Sequence, residues 1–346
     1  ISFLAYDLLK KFVVKKIVSP EKLDFAHPKN WNPKVLKSIS PKAMQTLYRL
    51  SDIYNKNSQG MISQKPIMTN NNKKLSPKAE KLLKKIENNQ ERAEFWNSYS
   101  KNFVAIVNAR STKSYLKGEI DLFKNYLLNQ NHNNGKILKL DLWNEAHHTE
   151  ILMHIHHYYE EIYGIDISPH VVEQANKNLN NKNIKAQTTV GDIRKMPYSE
   201  NSFDYLYTMG TIEHLPDPKV AMREISRVLK KGGRAVIGVP NKYEWFGKSL
   251  ALDFFAYIGI KEDGYEFSFG WKELKNQLKE CGLELIDKDG PYFMPWPIRA
   301  ADWFLAQRFP KLCFIFYPFI YLSELFSNFK FFRKNGSLLA AVVEKI

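Results

Sequence analysis

The chain has 346 residues, enough for one large domain with an extension or for two domains. With 44% hydrophobic and 14% aromatic residues, it is neither disordered nor fibrous. Its net charge of +15 is uneven: residues 1–140 carry 26 Lys/Arg against 10 Asp/Glu, residues 141–290 carry 18 against 23, and residues 291–346 carry 7 against 3. Basic flanks suit a polyanion, either nucleic acid or an anionic membrane surface. A coding bias toward Lys and Asn accounts for them equally well. Cys281 and Cys313 fit no metal or redox spacing, which points to a reducing, cytoplasmic setting. The opening ISFLAYDLL is too short for a signal peptide, and its lysines follow the apolar run instead of preceding it.

In chain order, Asp7–Val18 is expected as an amphipathic basic helix, and Pro20, Pro28, Pro33 and Pro41 then interrupt the chain. Residues 67–75 form a polar linker. Ser76 and Pro77 open a helix that runs through Leu82, Leu83 and Ile86 to Phe95 and Trp96. A second helix covers Tyr115–Asn129.

From Lys136 the pattern alternates. Strands are expected at Lys136–Leu142, Glu161–Ile167, Ala186–Val190, Phe203–Thr208, Arg234–Val239, Leu283–Asp287 and Leu338–Val343. Helices are expected at Thr149–Tyr158, Pro169–Leu179, Asp217–Leu229 and Trp271–Glu280. Lys230-Lys231-Gly232-Gly233 reads as a helix-to-strand turn. The alternation predicts an α/β fold: a doubly wound, Rossmann-like, seven-stranded, mostly parallel sheet. Residues 1–75 would be a basic N-terminal extension and linker, and 76–346 the main domain, with its core at 136–290. An aromatic-rich helical insertion, 294–336, would precede the last strand.

In such sheets the ligand lies outside the carboxyl ends of the strands. Three features stand there. Asp166, followed by Ile167, ends the second strand; a carboxylate there can accept both hydroxyls of a ribose. Gly191-Asp192-Ile193 follows the third strand and suits an adenine amino group and ring face. Met209 and Gly210 follow the fourth, with His214 one turn on. Each alone is a weak signal, because an Asp at a strand end is often a helix cap; the ordered set is much stronger.

The segments YGIDISPHVVEQAN, VGDIRKMPYSENSFDYLYTMGTIEHLPDP and AMREISRVLKKGGRAVIGVPN resemble successive motifs of the class I S-adenosylmethionine-dependent methyltransferases. More closely, they resemble the broad group acting on small molecules, lipids and glycans. The resemblance covers about residues 92–346. It implies S-adenosylmethionine as cofactor, with Asp166 on the ribose, Asp192 and Ile193 at the adenine, and Met209 and Gly210 lining the cleft.

The sequence departs from the family after the first strand. The family has a glycine-rich turn there; this chain reads Asp141-Leu142-Trp143-Asn144-Glu145-Ala146. The glycines of dinucleotide sites let backbone approach a pyrophosphate, which S-adenosylmethionine lacks. Asp141 and Glu145 are candidates for the ammonium, Asn144 for either charged end, and Trp143 for the sulfonium through a cation–π contact. The competing reading is that Asp141 and Glu145 cap the next helix and the pocket is dead. NAD is not expected, since nothing in the loop would hold a pyrophosphate. The histidines 147, 148, 154, 156 and 157 lack a companion carboxylate or Cys at ligand spacing, so no metal is expected.

A hydroxyl acceptor needs a proton acceptor, and His214 is the candidate; its alternative is a packing or capping histidine. TMGT stands where amino-base methylases carry an Asn-Pro-Pro-Tyr-type motif, and neither Cys lies in a Pro-Cys motif. Residues 241–274 are expected as a lid. Residues 290–334 are dense in Trp, Phe and Tyr with scattered Arg and Lys, which suits an element lying in a membrane interface, a cover for an apolar substrate, or a core or dimer contact. The leading reading is methyl transfer to a hydroxyl or related group of a hydrophobic, lipid-linked or glycan small molecule, perhaps at the inner face of the membrane, with no nucleic-acid partner. The alternatives are an inactive scaffold of the same fold and an RNA methyltransferase using the basic N-terminal region.

Overall fold

Seven strands form one sheet in the order β3-β2-β1-β4-β5-β7-β6, in a computed structural model that describes residues 89–103, 108–128, 135–147, 150–245 and 267–346. The expected helix at Asp7–Val18, the linker 67–75, the helix start at Ser76-Pro77, His148 and the middle of the 241–274 lid lie outside the described residues.

The strands are β1 (Lys136–Leu140), β2 (Glu161–Asp166), β3 (Gln187–Val190), β4 (Phe203–Met209), β5 (Leu229–Pro240), β6 (Leu283–Asp289) and β7 (Leu338–Lys345). The β1, β2, β3, β4 and β5 pairings are parallel; β7 runs antiparallel between β5 and β6. Strand β1 is central and covered on both faces, so Ile137, Leu138 and Leu140 are all buried instead of alternating. The chain leaves β1 toward β2 and β3, then crosses back to β4. The crevice at this reversal is where a doubly wound sheet takes a ligand.

The helices are α1 (Asn89–Asn102), α2 (Arg110–Leu122, continued by a wider turn over Phe123–Leu127), α3 (Trp143–His147), α4 (Ile151–Ile155), α5 (Pro169–Asn181), α6 (Pro218–Val228) and α7 (Trp271–Glu280). The insertion before β7 adds α8 (Trp296–Arg308), a 3-10 segment Pro310–Phe316, α9 (Tyr317–Ser327) and α10 (Lys330–Arg333). Local chemistry sets several starts. The Ser168 side chain accepts from Val171 N at 3.2 Å with Pro169 first in α5; Asp217 accepts from Lys219 N at 3.0 Å with Pro218 first in α6.

Two expectations are corrected. Lys230–Gly233 lies within β5, which already pairs at Leu229 with Phe203; the left-handed Gly232 (φ 74°) marks an irregularity in a strand that starts five residues earlier than predicted. Residues 143–147 are a short helix, not a loop. None of Trp, Asn, Glu, Ala and His breaks a turn of helix, and Glu145 has a buried partner that fixes it.

Candidate cofactor site at the strand ends

Backbone bonds tie the carboxyl ends of β1, β2 and β3 to one another and that of β4 to β5. Asp141 N donates to Ile165 O at 2.9 Å, Gly191 N to Asp166 O at 2.9 Å, and Gly210 N to Gly238 O at 3.1 Å. Asp166 completes the rim: Oδ2 accepts from Leu142 N and Oδ1 from Ser168 N, both at 2.9 Å. Burial pushes its carboxyl up to about 6, although the two amides oppose the shift. Gly210, at φ 80°, is exposed on the rim. A side chain there would be strained, and its absence leaves the backbone open to an approaching ligand.

The glycine-free turn is solved by Asp141 itself. It takes a left-handed conformation, φ 69°, which costs about 1 kcal/mol for a residue with a Cβ but is best tolerated by Asn and Asp. Three contacts hold it. Lys139 Nζ donates to Asp141 O at 2.8 Å and pairs with Oδ1 at 3.3 Å; Thr211 Oγ1 donates to Oδ2 at 2.7 Å. Lys139 is almost fully buried in β1 and also pairs with Glu145 at 3.0 Å. Burial alone would lower its ammonium, but Asp141 and Glu145 outweigh it and hold it above its ordinary value.

Glu145 is therefore not free for a ligand ammonium. It is fully buried: Oε1 accepts from Leu152 N, in the first turn of α4, at 3.0 Å, and Oε2 faces Lys139. This part of the capping alternative is what the structure shows. Asn144 Nδ2 donates to Glu119 Oε2 at 3.3 Å. Glu119, buried on α2, also accepts from the Tyr207 hydroxyl at 2.7 Å; burial pushes its carboxyl up to about 8. One ammonium thus stands between the carboxylates of Asp141 and Glu145, while the Glu119 carboxyl beside them keeps its proton at neutral pH. The surplus of negative charge at this strand end fits a ligand bearing an ammonium and a sulfonium, which is the fit S-adenosylmethionine requires.

Sequence reasoning missed the roof of the site. Helix α1 touches residues from all four strand ends. Trp96 meets His214 edge-on at 5.1 Å and Trp143 at 6.1 Å; Tyr99 stacks on Trp143 at 5.6 Å; Phe103 meets Trp143 edge-on at 5.0 Å. Asn97 Oδ1 accepts from His170 N at 3.0 Å and contacts Ser168 Oγ at 3.2 Å, and Ser100 Oγ lies 2.6 Å from His147 Nε2. Arg92, 8% exposed, pairs with Asp192 at 3.7 Å, while its Nη1 makes no hydrogen bond. Burial and the nearby Arg194 lower Arg92 to about 10. Asp192 is gripped by Arg194, with the shortest contact 2.7 Å. Ile193 and Met209 are buried and Ile167 half-buried, so the expected cofactor residues gather at one end of the sheet under one helix. The aromatic spacing at 95, 96, 99 and 103 was the available signal for that helix.

A methyltransferase domain family model matches residues 145–237, beginning just past the turn at Asp141. That segment is similar to the domain of the class I methyltransferases, which supports S-adenosylmethionine as the cofactor. A demethylmenaquinone methyltransferase of Anoxybacillus flavithermus is 26% identical over 141 residues, 36% of this chain and 59% of that one. A chloroplastic 2-methyl-6-phytyl-1,4-hydroquinone methyltransferase of Oryza sativa is 38% identical over 95 residues, 27% of this chain and 28% of that one. An uncharacterized transposon protein of Streptomyces fradiae is 37% identical over 94 residues, 27% and 25% of the two chains. The chain thus spans from a quarter to three-fifths of the length of these relatives.

Proposed function

We propose that this chain transfers a methyl group from S-adenosylmethionine to a hydroxyl or related group of a hydrophobic, lipid-linked or glycan small molecule. The observation that carries the reading is the convergence under α1 of Trp143, Ser168, Asp192 and His214, one from each of four strand ends. The two methyltransferase relatives are named for a demethylmenaquinone and a phytyl hydroquinone, which favours an apolar acceptor. In this reading residues 76–346 are the catalytic domain, 1–75 a basic extension, and the protein is cytoplasmic, working at the inner face of the membrane.

S-adenosylmethionine supplies an electrophilic methyl group when bound. Asp166 accepts the ribose hydroxyls; Gly191, Asp192 and Ile193 face the adenine; Met209 and Gly210 line the cleft. Asp141 and Asn144 bind the charged methionine end, and Lys139 and Glu145 shape the turn beneath them. Trp143 walls the site with one face taken by Tyr99. His214 would take the proton of an acceptor hydroxyl held against the cofactor's methyl group. The test is calorimetric titration with S-adenosylmethionine and with its demethylated product, followed by a methyl-transfer assay on quinol and lipid-linked acceptors. Micromolar binding supports the reading; a folded protein that binds neither compound is the scaffold instead.

A further inference from the structure

The insertion before the last strand is built inside out. A helix on a protein surface ordinarily turns its apolar stripe inward and its polar residues to water. Here the buried residues of α8 and α9 are Asp302, Ser323 and a single apolar side chain, Ile320. Asp302 Oδ2 accepts from Ser111 N at 2.8 Å, and Ser323 Oγ donates to Phe319 O at 2.9 Å. The seat on α2 is polar as well. Trp303 Nε1 donates to Thr112 Oγ1 at 3.0 Å, Glu324 takes Arg110 at 2.9 Å and Ser114 at 2.5 Å, and the Arg110 guanidinium lies 3.9 Å from the Tyr321 ring centroid.

The outward positions carry the apolar side chains. Phe304 is 60% exposed, Phe314 62%, Leu325 55% and Phe329 58%; Ile315, Phe319 and Leu322 are exposed with them. No helix among the described residues is long and apolar enough to cross a membrane. The exposed charges within the outward stretch, Arg308 and Lys311, are both basic. Where the stretch ends, Phe331 and Lys330 also border a surface hollow of about 390 Å³ whose wall holds Lys275, Lys288 and Lys334 against one acid, Asp287. Arg333 clips α10 to Asp289 of β6 at 2.8 Å, so the hollow and the apolar stretch are fixed to each other.

We infer that the outward face of α8, the 310–316 segment, α9 and α10 is a docking surface for a bilayer carrying anionic phospholipids. Aromatic and aliphatic side chains enter the headgroup–acyl boundary, and the lysines of the hollow meet the lipid phosphates. This deepens the proposed function and rests on it for its purpose: a membrane-held acceptor is brought to an enzyme lying on the same membrane. The contact itself needs no cofactor and no catalysis, so it is tested separately.

The experiment is co-sedimentation of the full chain with vesicles of phosphatidylcholine, with and without phosphatidylglycerol, over a range of salt. We expect partition to the anionic vesicles that weakens as salt rises. A Phe314→Ser, Phe319→Ser, Leu325→Ser triple variant should bind at least about tenfold more weakly. Lys275→Ala and Lys334→Ala should each cost about fivefold, on anionic vesicles only. Phe314, Phe319, Leu325 and Lys275 are exposed and Lys334 is half-buried, none of them in the core, so melting temperature and affinity for the demethylated cofactor stay unchanged and show that the variants fold. Failure of the folded chain to bind either vesicle overturns the proposal, and so does binding that the triple variant leaves intact. A self-associating chain that the triple variant makes monomeric, without vesicle binding, assigns the face to a second copy instead. Vesicle binding by a chain that binds no cofactor sinks the enzyme reading and leaves the docking surface standing.

Discussion

The end of β1 and the C-terminal insertion bury polar groups for opposite reasons. At β1 the buried set is Lys139, Glu145 and Glu119 beside the half-buried Asp141, with apolar layers packed on both sides of the sheet. These charges replace a glycine turn: they hold a left-handed Asp in place and keep a surplus of negative charge at the strand end. In the insertion Asp302 and Glu324 fasten helices to α2, the buried Ser323 bonds back to its own helix, and most of the large apolar side chains apart from Ile320 are left outside. Buried charge in the first region makes a site; in the second it frees a surface.

Substitutions break this comparison in order of size. Lys139→Met leaves buried carboxylates without their cation and should cost about 3–5 kcal/mol in denaturant unfolding. A smaller cost would mean that water already reaches the cluster. Asp302→Leu inserts a larger apolar group where a backbone amide needs an acceptor, and about 1–3 kcal/mol should be lost even though the change is toward hydrophobicity. Trp96→Ala removes the roof contact to His214 and Trp143; we expect cofactor affinity to fall several-fold, with much of the aromatic pair energy of about 0.5–1.5 kcal/mol appearing in binding. Phe314→Ser should leave stability within about 0.5 kcal/mol, because its ring is not in the core.

Glu119 sharpens the first region through pH. Its folded value of about 8 lies above the ordinary 4.5, so between those values the folded state holds a proton the unfolded chain has lost. Stability should therefore decline as pH rises from 4.5 to 8 and level off above. Glu119→Gln cannot titrate and should flatten that part of the profile in melts taken across the range. An unchanged slope would place its origin elsewhere.

Much of the sheet was legible because the central strands are largely apolar runs bounded by turn residues, and the helices after β2 and β4 open with Ser-Pro and Asp-Pro. The antiparallel β7 and the early start of β5 were not, since strand direction and bulges depend on pairings far apart in sequence. At the site, the residues after β2, β3 and β4 were legible as a spaced set. The glycine-free turn was misread in part: Glu145 looked like a ligand group because nothing local reveals that Lys139, six residues earlier, points inward from a buried strand. Arg92 and Trp96 were missed because a helix ahead of the alternating region gives no sign of where it will lie. In the insertion the aromatic density was visible, but its outward orientation depends on Asp302 and Glu324 holding the helices to α2.

The central claim is that the turn at Asp141 serves a working cofactor site without glycine. Calorimetric titration of the demethylated cofactor into the intact chain and into Asp166→Ala tests it most directly. The account predicts micromolar binding by the intact chain and a loss of roughly tenfold or more in the variant, the worth of hydrogen bonds to a charged group. An intact, folded chain that takes up no cofactor, or an Asp166→Ala variant that binds equally well, would contradict it.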